Sequence, residues 1–284
     1  MSEAQVNLSD AAESAADLHS ELSDRIEALK ADEALHPAVI AALGNPMRLV
    51  NPQGSRVILA HRYGFPIFFT VDNKQDRIHQ FHLKGRFYEG EQLAVIKRYF
   101  PEGGTFMDVG ANVGNHTLFM LLLGGAARVI PVEPNPKAIR LLVANLIFNG
   151  LLERVDLTSL GYGLDAEAGD GLAIHSPRDN LGWVKLKPQA EAEGDAVPVS
   201  TRTGDSLVGE AQVDFIKIDV EGMEVGALKG LEATITRCKP VLFIELAHAN
   251  KEAAWKMFDA WGYELAEEFE PNRLNQNILL RAKG

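Results

Sequence analysis

Four stretches of the 284-residue sequence have the residue types and spacing to do chemistry, and each begins where an apolar run ends. The first is Asp108-Val-Gly110-Ala111-Asn112-Val-Gly114-Asn115, set between an apolar strand-like run (Thr105–Val109) and an apolar helix-like run (Asn115–Leu123). Gly110 and Gly114 let the backbone turn tightly and let a ligand approach the chain closely. Asp108 supplies a carboxylate that can accept a bond from an ammonium, or order a water that does so. A dinucleotide fingerprint needs Gly-x-Gly-x-x-Gly. Aligned on Gly110, its first and third glycines fall on Asp108 and Val113, and an acid aimed at a pyrophosphate repels it. The loop therefore suits a ligand with a positive centre. Taken alone, it also reads as a bare strand–helix turn.

The second stretch is Val132-Glu133-Pro134-Asn135. An acid ending the next strand, about 20 residues after a glycine loop, is placed to hold two ribose hydroxyls, and one carboxylate can accept both bonds. Together the two stretches indicate an adenosine without a phosphate, which is S-adenosylmethionine. Asp108 and the glycine backbone then face its methionine part. The third stretch, Leu160-Gly161-Tyr162-Gly163, lacks the acid that often meets an adenine amino group; Asp165 is the nearest. Tyr162 either stacks on the adenine or belongs to the core.

The fourth stretch is Ile216-Lys-Ile-Asp219-Val-Glu221-Gly-Met-Glu224. Asp219 and Glu221 leave one strand end two residues apart, so both can face one cleft. Three acids so close repel one another unless a ligand cation, a base or a metal uses them. Asp219, Glu221 and Glu245 are hard oxygen ligands suited to Mg²⁺, but no ligand spacing specifically supports a metal and none is assigned.

These residues resemble the FkbM family of S-adenosylmethionine-dependent methyltransferases. The likeness rests on Asp108-Val-Gly-Ala-Asn-Val-Gly114-Asn, Val132-Glu133-Pro134 and Ile216-Lys-Ile-Asp-Val-Glu-Gly-Met-Glu224, with Phe87-Tyr-Glu89 and Phe243-Ile-Glu-Leu246. It spans roughly residues 80–265, and the Asp219-to-Glu224 element is its most specific part. It implies a class I methyltransferase fold: an α/β, Rossmann-like, mostly parallel seven-stranded sheet with a C-terminal antiparallel hairpin. It also implies methylation of hydroxyl oxygens on sugars, glycans or polyketide-type metabolites. The loop Asp108–Asn115 would bind the methionine part, Glu133 (with Pro134 and Asn135) the ribose, and Asp219 would lie near the sulfonium. Glu89 either folds over the cofactor's amino group or is surface charge.

Methylating an alcohol requires a group that takes its proton. Asp219, Glu221 and His248 are the candidates; a histidine suits proton transfer near neutral pH, though His248 also reads as a solvated loop residue. His116 either lies near the cofactor or caps its helix. A small-molecule N-methyltransferase and a non-catalytic S-adenosylmethionine-binding protein are the competing readings. The Asn/Asp-Pro-Pro-Tyr/Phe motif common in nucleobase methylation does not occur at Asp219.

The elements that must position these groups follow from the apolar runs. Strands are expected at 105–109, 128–132, 155–160, 213–218 and 241–246. Helices are expected at 91–100, 115–123, 136–148 with Asn135 as its N-cap and Pro136 first, from Glu224 with a break near Gly230, and from Asn250 to Gly262. Two terminal strands, about 263–269 and 277–282, flank Pro271-Asn272. Upstream, 56–71 reads as two strands around Arg62-Tyr63-Gly64, and Asn45-Pro46 and Asn51-Pro52 as turns. Residues 163–210 read as irregular, with short strands such as Trp183–Leu186. Strands alternating with helices imply a parallel sheet covered on both faces, with ligands at the carboxyl ends of the strands.

Residues 7–35 carry Ala11, Ala15, Leu18, Leu22, Ile26 and Leu29 at helical spacing. This divides the chain into an acidic amphipathic helical arm (1–45) and a methyltransferase domain (46–284), itself N-terminal strands and helix (46–100) plus a Rossmann-like core (101–284). The arm either packs on its own domain or pairs with a second subunit as a homo-oligomer contact. The net charge is −11, and −7 of it sits in residues 1–35 (nine acids, two bases). No block of Lys or Arg marks a nucleic-acid face, and no apolar run approaches a membrane span. One cysteine, Cys238, excludes an internal disulfide. With no signal-peptide pattern at the start, a cytoplasmic location is expected.

Overall fold

In a computed structural model, residues 20–44, 56–175, 185–188 and 197–284 are described. The first part of the arm, the Asn45-Pro46 and Asn51-Pro52 turns and the start of the Trp183–Leu186 strand lie outside the described residues. Helix α1 (20–30) and α2 (Pro37–Leu43) lead to a hairpin, β1 (Arg56–Ala60) and β2 (Ile67–Val71), then α3 (Arg77–His82) and α4 (Gly90–Tyr99). The core follows as β3 (Thr105–Val109), α5 (Asn115–Phe119, continued by a π turn over Met120–Gly124), β4 (Arg128–Val132) and α6 (Pro136–Phe148). After β5 (Tyr162–Leu164), β6 (Gly169–His175), β7 (Lys185–Pro188), β8 (Val197–Arg202) and α7 (Gly204–Val208) come β9 (Phe215–Ile218), α8 (Glu224–Gly230) and α9 (Glu232–Cys238). β10 (Val241–Ala247), α10 (Lys251–Ala260), β11 (Tyr263–Glu268) and β12 (Asn275–Ala282) complete it.

The main sheet runs β11-β12-β10-β9-β3-β4. Its inner strands are parallel, and β12 is antiparallel to both β10 and β11. This is an α/β, Rossmann-like fold whose sheet ends in antiparallel C-terminal strands, as expected. Alternate residues of each strand feed opposite faces. Phe106, Val129, Phe215 and Phe243 pack with Val39, Leu93, Leu118 and Leu142 on one side. Met107, Ile130, Ile216 and Ile244 pack with Leu228, Ile235 and Phe258 on the other. Asn135 caps α6 by accepting from the Lys137 N–H at 3.0 Å, ahead of Pro136, as expected.

Two expectations are corrected. The sheet has six strands among the described residues, because the third core strand is reduced to a single parallel bridge between Val129 and Val155. The Asp156 carboxylate takes the Thr158 N–H and hydroxyl at 3.1 and 2.6 Å and turns the chain into a 3-10 helix over Leu157–Ser159. Local side-chain bonds of this kind compete with sheet pairing. The region 163–210 is more regular than expected: it carries a second sheet in the order β5-β8-β6-β7. On the arm, Ile26 is buried, and Leu22 and Leu29 pack against the same core as α2 and α6. The apolar face of its described part therefore faces its own domain. No described helix is long and apolar enough to cross a membrane.

Candidate active site

At the carboxyl ends of β3, β4, β9 and β10 lies a cavity of about 730 Å³, within the ~300–1,000 Å³ typical of small-molecule sites. Its wall on one side is the glycine loop. Gly110 has φ +78°, and its backbone lies so close to the next strand that a Cβ there would stand 1.9 Å from the Asp219 carbonyl oxygen. Only glycine fits this crossing. The Gly110 and Ala111 N–H groups both donate to the Val132 carbonyl, which ties the loop to the end of β4. Asn112 follows with φ +51°. Asn115 begins α5, and its side chain reaches the Tyr88 backbone.

Glu133 stands at the end of β4, nearly buried, facing the cavity. One carboxylate oxygen accepts the Asn112 N–H and the other the Asn135 N–H, both at 2.8 Å. Each oxygen keeps a lone pair for a hydroxyl. Burial pushes the Glu133 pKa up to about 7 against these two amide bonds. Pro134 lines the cavity beside it.

Lys217 is the charge centre of the site, and its role was not read from the sequence. It is 3 % exposed in the middle of β9. Its Nζ donates to the Gly110 carbonyl at 3.0 Å and lies 3.4 Å from Asp108 and 3.5 Å from Asp219. Burial opposes its charge, but Asp219 and Asp108 outweigh burial and hold its pKa above the ordinary lysine value. A lone lysine inside an apolar strand run was the signal available.

Asp219 and Glu245 each stand one residue past Ile218–Ile244, the last pair between β9 and β10; Asp219 has left β9, whereas Glu245 is still within β10, opposite Asn277 of β12. Burial works to raise the Asp219 pKa, and Lys217 prevails and holds it low. Glu245 is pushed up to about 9, by burial first and by the Asp219 charge second. Glu221, at φ +47°, brings an oxygen to the same place, so that Asp219, Glu221 and Glu245 each place one within 4.8 Å of the others. The third acid of the motif does different work. The Glu224 carboxylate is buried, accepts the Gly222 N–H at 2.6 Å and takes a bond from Asn250, closing the turn that presents Glu221. Glu89 also faces the cavity, in left-handed conformation, 3.7 Å from His116. Burial and then Asp219 raise its pKa to about 7. His116 lines the cavity, its Nε2 lacks a hydrogen-bond partner among the described residues, and burial lowers its pKa to about 4, so it is neutral.

Several expected residues stand elsewhere. Asp108 is fully buried behind the loop, where its carboxylate accepts the Thr117 N–H at 3.0 Å and hydroxyl at 2.7 Å, and it does not line the cavity. Gly114 sits against Leu142 and serves the start of α5, and Asn135 is spent on its helix cap. Tyr162 turns away from the cavity, edge-on to His36 at 5.3 Å and beneath the Arg202 guanidinium at 4.8 Å. His248 is exposed and does not line the cavity. Its Nε2 meets the Asn272 carbonyl at 3.0 Å and its N–H the Leu274 carbonyl at 2.9 Å. It anchors the turn before β12, whose residues 272–275 form part of the cavity wall.

A sequence model described as the Methyltransferase FkbM domain matches residues 108–270, more than half of the chain. The chain belongs to the FkbM methyltransferase family. S-adenosylmethionine is the family's methyl donor. The residues present fit it: a strand-end carboxylate with free lone pairs, a close-packed glycine loop, and carboxylates facing the space a sulfonium would enter. Within the family's wider circle, the chain is 28 % identical over 182 residues to the hexuronic acid methyltransferase AglP of Haloferax volcanii, covering 61 % of this chain and 68 % of that one. It is 24 % identical over 160 residues to the methyltransferase sdnD of Sordaria araneosa, covering 46 % and 62 %. The crystal structure of a methyltransferase FkbM from Methylobacillus flagellatus aligns with a TM-score of 0.46 at 19 % identity, over 72 % of this chain and 52 % of that one. The chain thus spans about half the length of that FkbM protein and about two thirds of the two curated relatives.

Proposed function

We propose that this protein transfers a methyl group from S-adenosylmethionine to a hydroxyl oxygen of a sugar or glycosylated metabolite, with Asp219 as the base. The cofactor supplies a methyl already activated on a sulfonium. The chain's own residues hold, orient and deprotonate. The backbone from Gly110 to Asn112 and the Glu89 carboxylate hold the methionine part, and Glu133 accepts the ribose hydroxyls. Asp219 accepts the acceptor's hydroxyl proton. Glu245, kept protonated, donates to Asp219 and limits the repulsion between the two acids. Glu221 faces the same space and helps to orient the acceptor.

The observation that carries this reading is the pairing of Asp219, kept ionised by Lys217, with the strand-end position beside the glycine loop. An ionised base needs no prior loss of a proton. The sugar class is supported by the relative that acts on a hexuronic acid. Two exposed arginines of the cavity, Arg77 and Arg273, add to it. Arginine forks suit carboxylates, so an acidic sugar is the favoured acceptor. The test is incubation with S-adenosylmethionine and a panel of neutral and acidic sugars, glycosides and amines, reading S-adenosylhomocysteine and methylated product. Methyl ethers on sugar hydroxyls are expected. Turnover with amines alone, or cofactor binding without turnover on any acceptor, contradicts it.

A further inference from the structure

Asn115 does more than begin α5. Its side-chain amide pairs with the Tyr88 backbone at both groups: the Tyr88 N–H donates to Oδ1 at 2.9 Å, and Nδ2 donates to the Tyr88 carbonyl at 3.1 Å. This fixes the amide's orientation, because the flipped amide would set donor against donor. The same Oδ1 lies 3.2 Å from His82 Nε2. Oδ1 only accepts, so Nε2 carries the proton.

His82 is fully buried on α3, with its ring stacked on Phe69 at 4.5 Å between centroids. Burial lowers its pKa to about 3, so it is neutral, and its Nδ1 has no hydrogen-bond partner among the described residues. A buried ring nitrogen without a partner costs stability, and an apolar ring would fill the space without that cost. What the histidine adds is the bond to Asn115. From Tyr88 the chain passes directly into Glu89, held at φ +58° with its carboxylate facing the cavity. His82, Asn115 and Tyr88 therefore join the segment ahead of the sheet to the glycine loop.

We propose that His82 is a positioning residue: through Asn115 it holds Tyr88 and Glu89 over the methionine end of the cofactor. This rests on reading the cavity as the S-adenosylmethionine site. His82→Phe keeps a ring stacked on Phe69 and removes the N–H donor. In the full chain, the KM for S-adenosylmethionine and the Kd for S-adenosylhomocysteine are expected to rise about ten-fold, the order of one buried hydrogen bond. At saturating cofactor, kcat is expected to stay within about two-fold, since the acceptor side is untouched. His82→Gln, whose amide can donate to the same Oδ1, restores most of the affinity. Combined with Glu89→Gln, His82→Phe adds little further loss, because both act through one carboxylate.

Unchanged affinity in His82→Phe, or losses that add in full in the double variant, overturns the proposal. A wild-type protein that binds no S-adenosylhomocysteine overturns the cofactor reading instead. Should His82→Phe not fold, ¹⁵N spectra of the wild type still decide. His82 should show the Nε2–H tautomer with no titration between about pH 5 and 8, and an Nδ1–H tautomer or a charged ring contradicts the proposal.

Discussion

Asp108 and Asp219 stand near the carboxyl ends of adjacent strands, flank the same lysine, and have opposite fates. Asp108 lies within the β3–β9 ladder, directly opposite Lys217, and is fully buried with its carboxylate held by Thr117. Asp219 stands one residue past the last pair of β9, and a third of its side chain is exposed to the cavity. Strand-end acids look alike in a sequence. Whether one braces the sheet or meets a ligand depends on a shift of two residues along the ladder, which keeps both acids on the face of Lys217. Lys217 joins the two: it pairs with the buried Asp108 and holds Asp219 ionised, as the proposed proton transfer requires.

The largest effect is expected at Lys217. Lys217→Met leaves Asp108 buried without its cation and should cost about 3–5 kcal/mol of stability, measured by denaturant unfolding. A loss under about 1 kcal/mol would mean that the buried charge is compensated in another way. Next come the acids themselves. Asp219→Asn should lower kcat about 10²–10⁴-fold with little change in unfolding free energy. Asp108→Asn should do the reverse, losing about 1–3 kcal/mol of stability while cofactor affinity stays within a few-fold. If the two variants exchange these phenotypes, the assignment of roles is inverted.

A smaller effect concerns pH. Burial raises the Glu133 pKa from an ordinary 4.5 to about 7. The folded protein therefore retains a proton that the unfolded chain has lost, so this group's contribution to stability is present below about pH 4.5 and is lost as pH rises through 7. Ligand binding runs the other way. The ionised carboxylate is the better acceptor for ribose hydroxyls, so Glu133 by itself should make S-adenosylhomocysteine bind up to about ten-fold more tightly at pH 8 than at pH 6, beside any contribution of Glu89. Glu133→Gln should lose that part of the slope; calorimetric titration at both pH values checks it. The smallest effect is that of a chelator. With one proton shared between Asp219 and Glu245, the convergence with Glu221 needs no metal, and EDTA should leave the rate within about two-fold. A large loss restored by Mg²⁺ would make the three acids ligands.

Much of this was legible because strand and helix periods differ. The edges of β3, β4 and α6 and the break between α8 and α9 follow directly from Gly, Pro and Asn punctuation around apolar runs. Glu133 and the glycine loop were legible because a strand–turn–helix leaves few places for a ligand. Other features depend on contacts distant in sequence. His82 meets Asn115 and Tyr162 meets His36 only after folding. His248 has the chemistry of a base, but its ring is committed to the Asn272 carbonyl. The third core strand was lost to Asp156, whose short side chain offers the backbone nearer partners than the sheet does.

In the proposed reaction the Asp219 side of Lys217 performs the transfer and the Asp108 side does not. The most direct measurement is labelled methyl transfer from S-adenosylmethionine to an acidic sugar by Asp219→Asn, with S-adenosylhomocysteine affinity measured on the same sample. With Asp219 as the base, transfer should fall at least about 100-fold with Kd within about three-fold of wild type. Undiminished transfer with intact binding would contradict it.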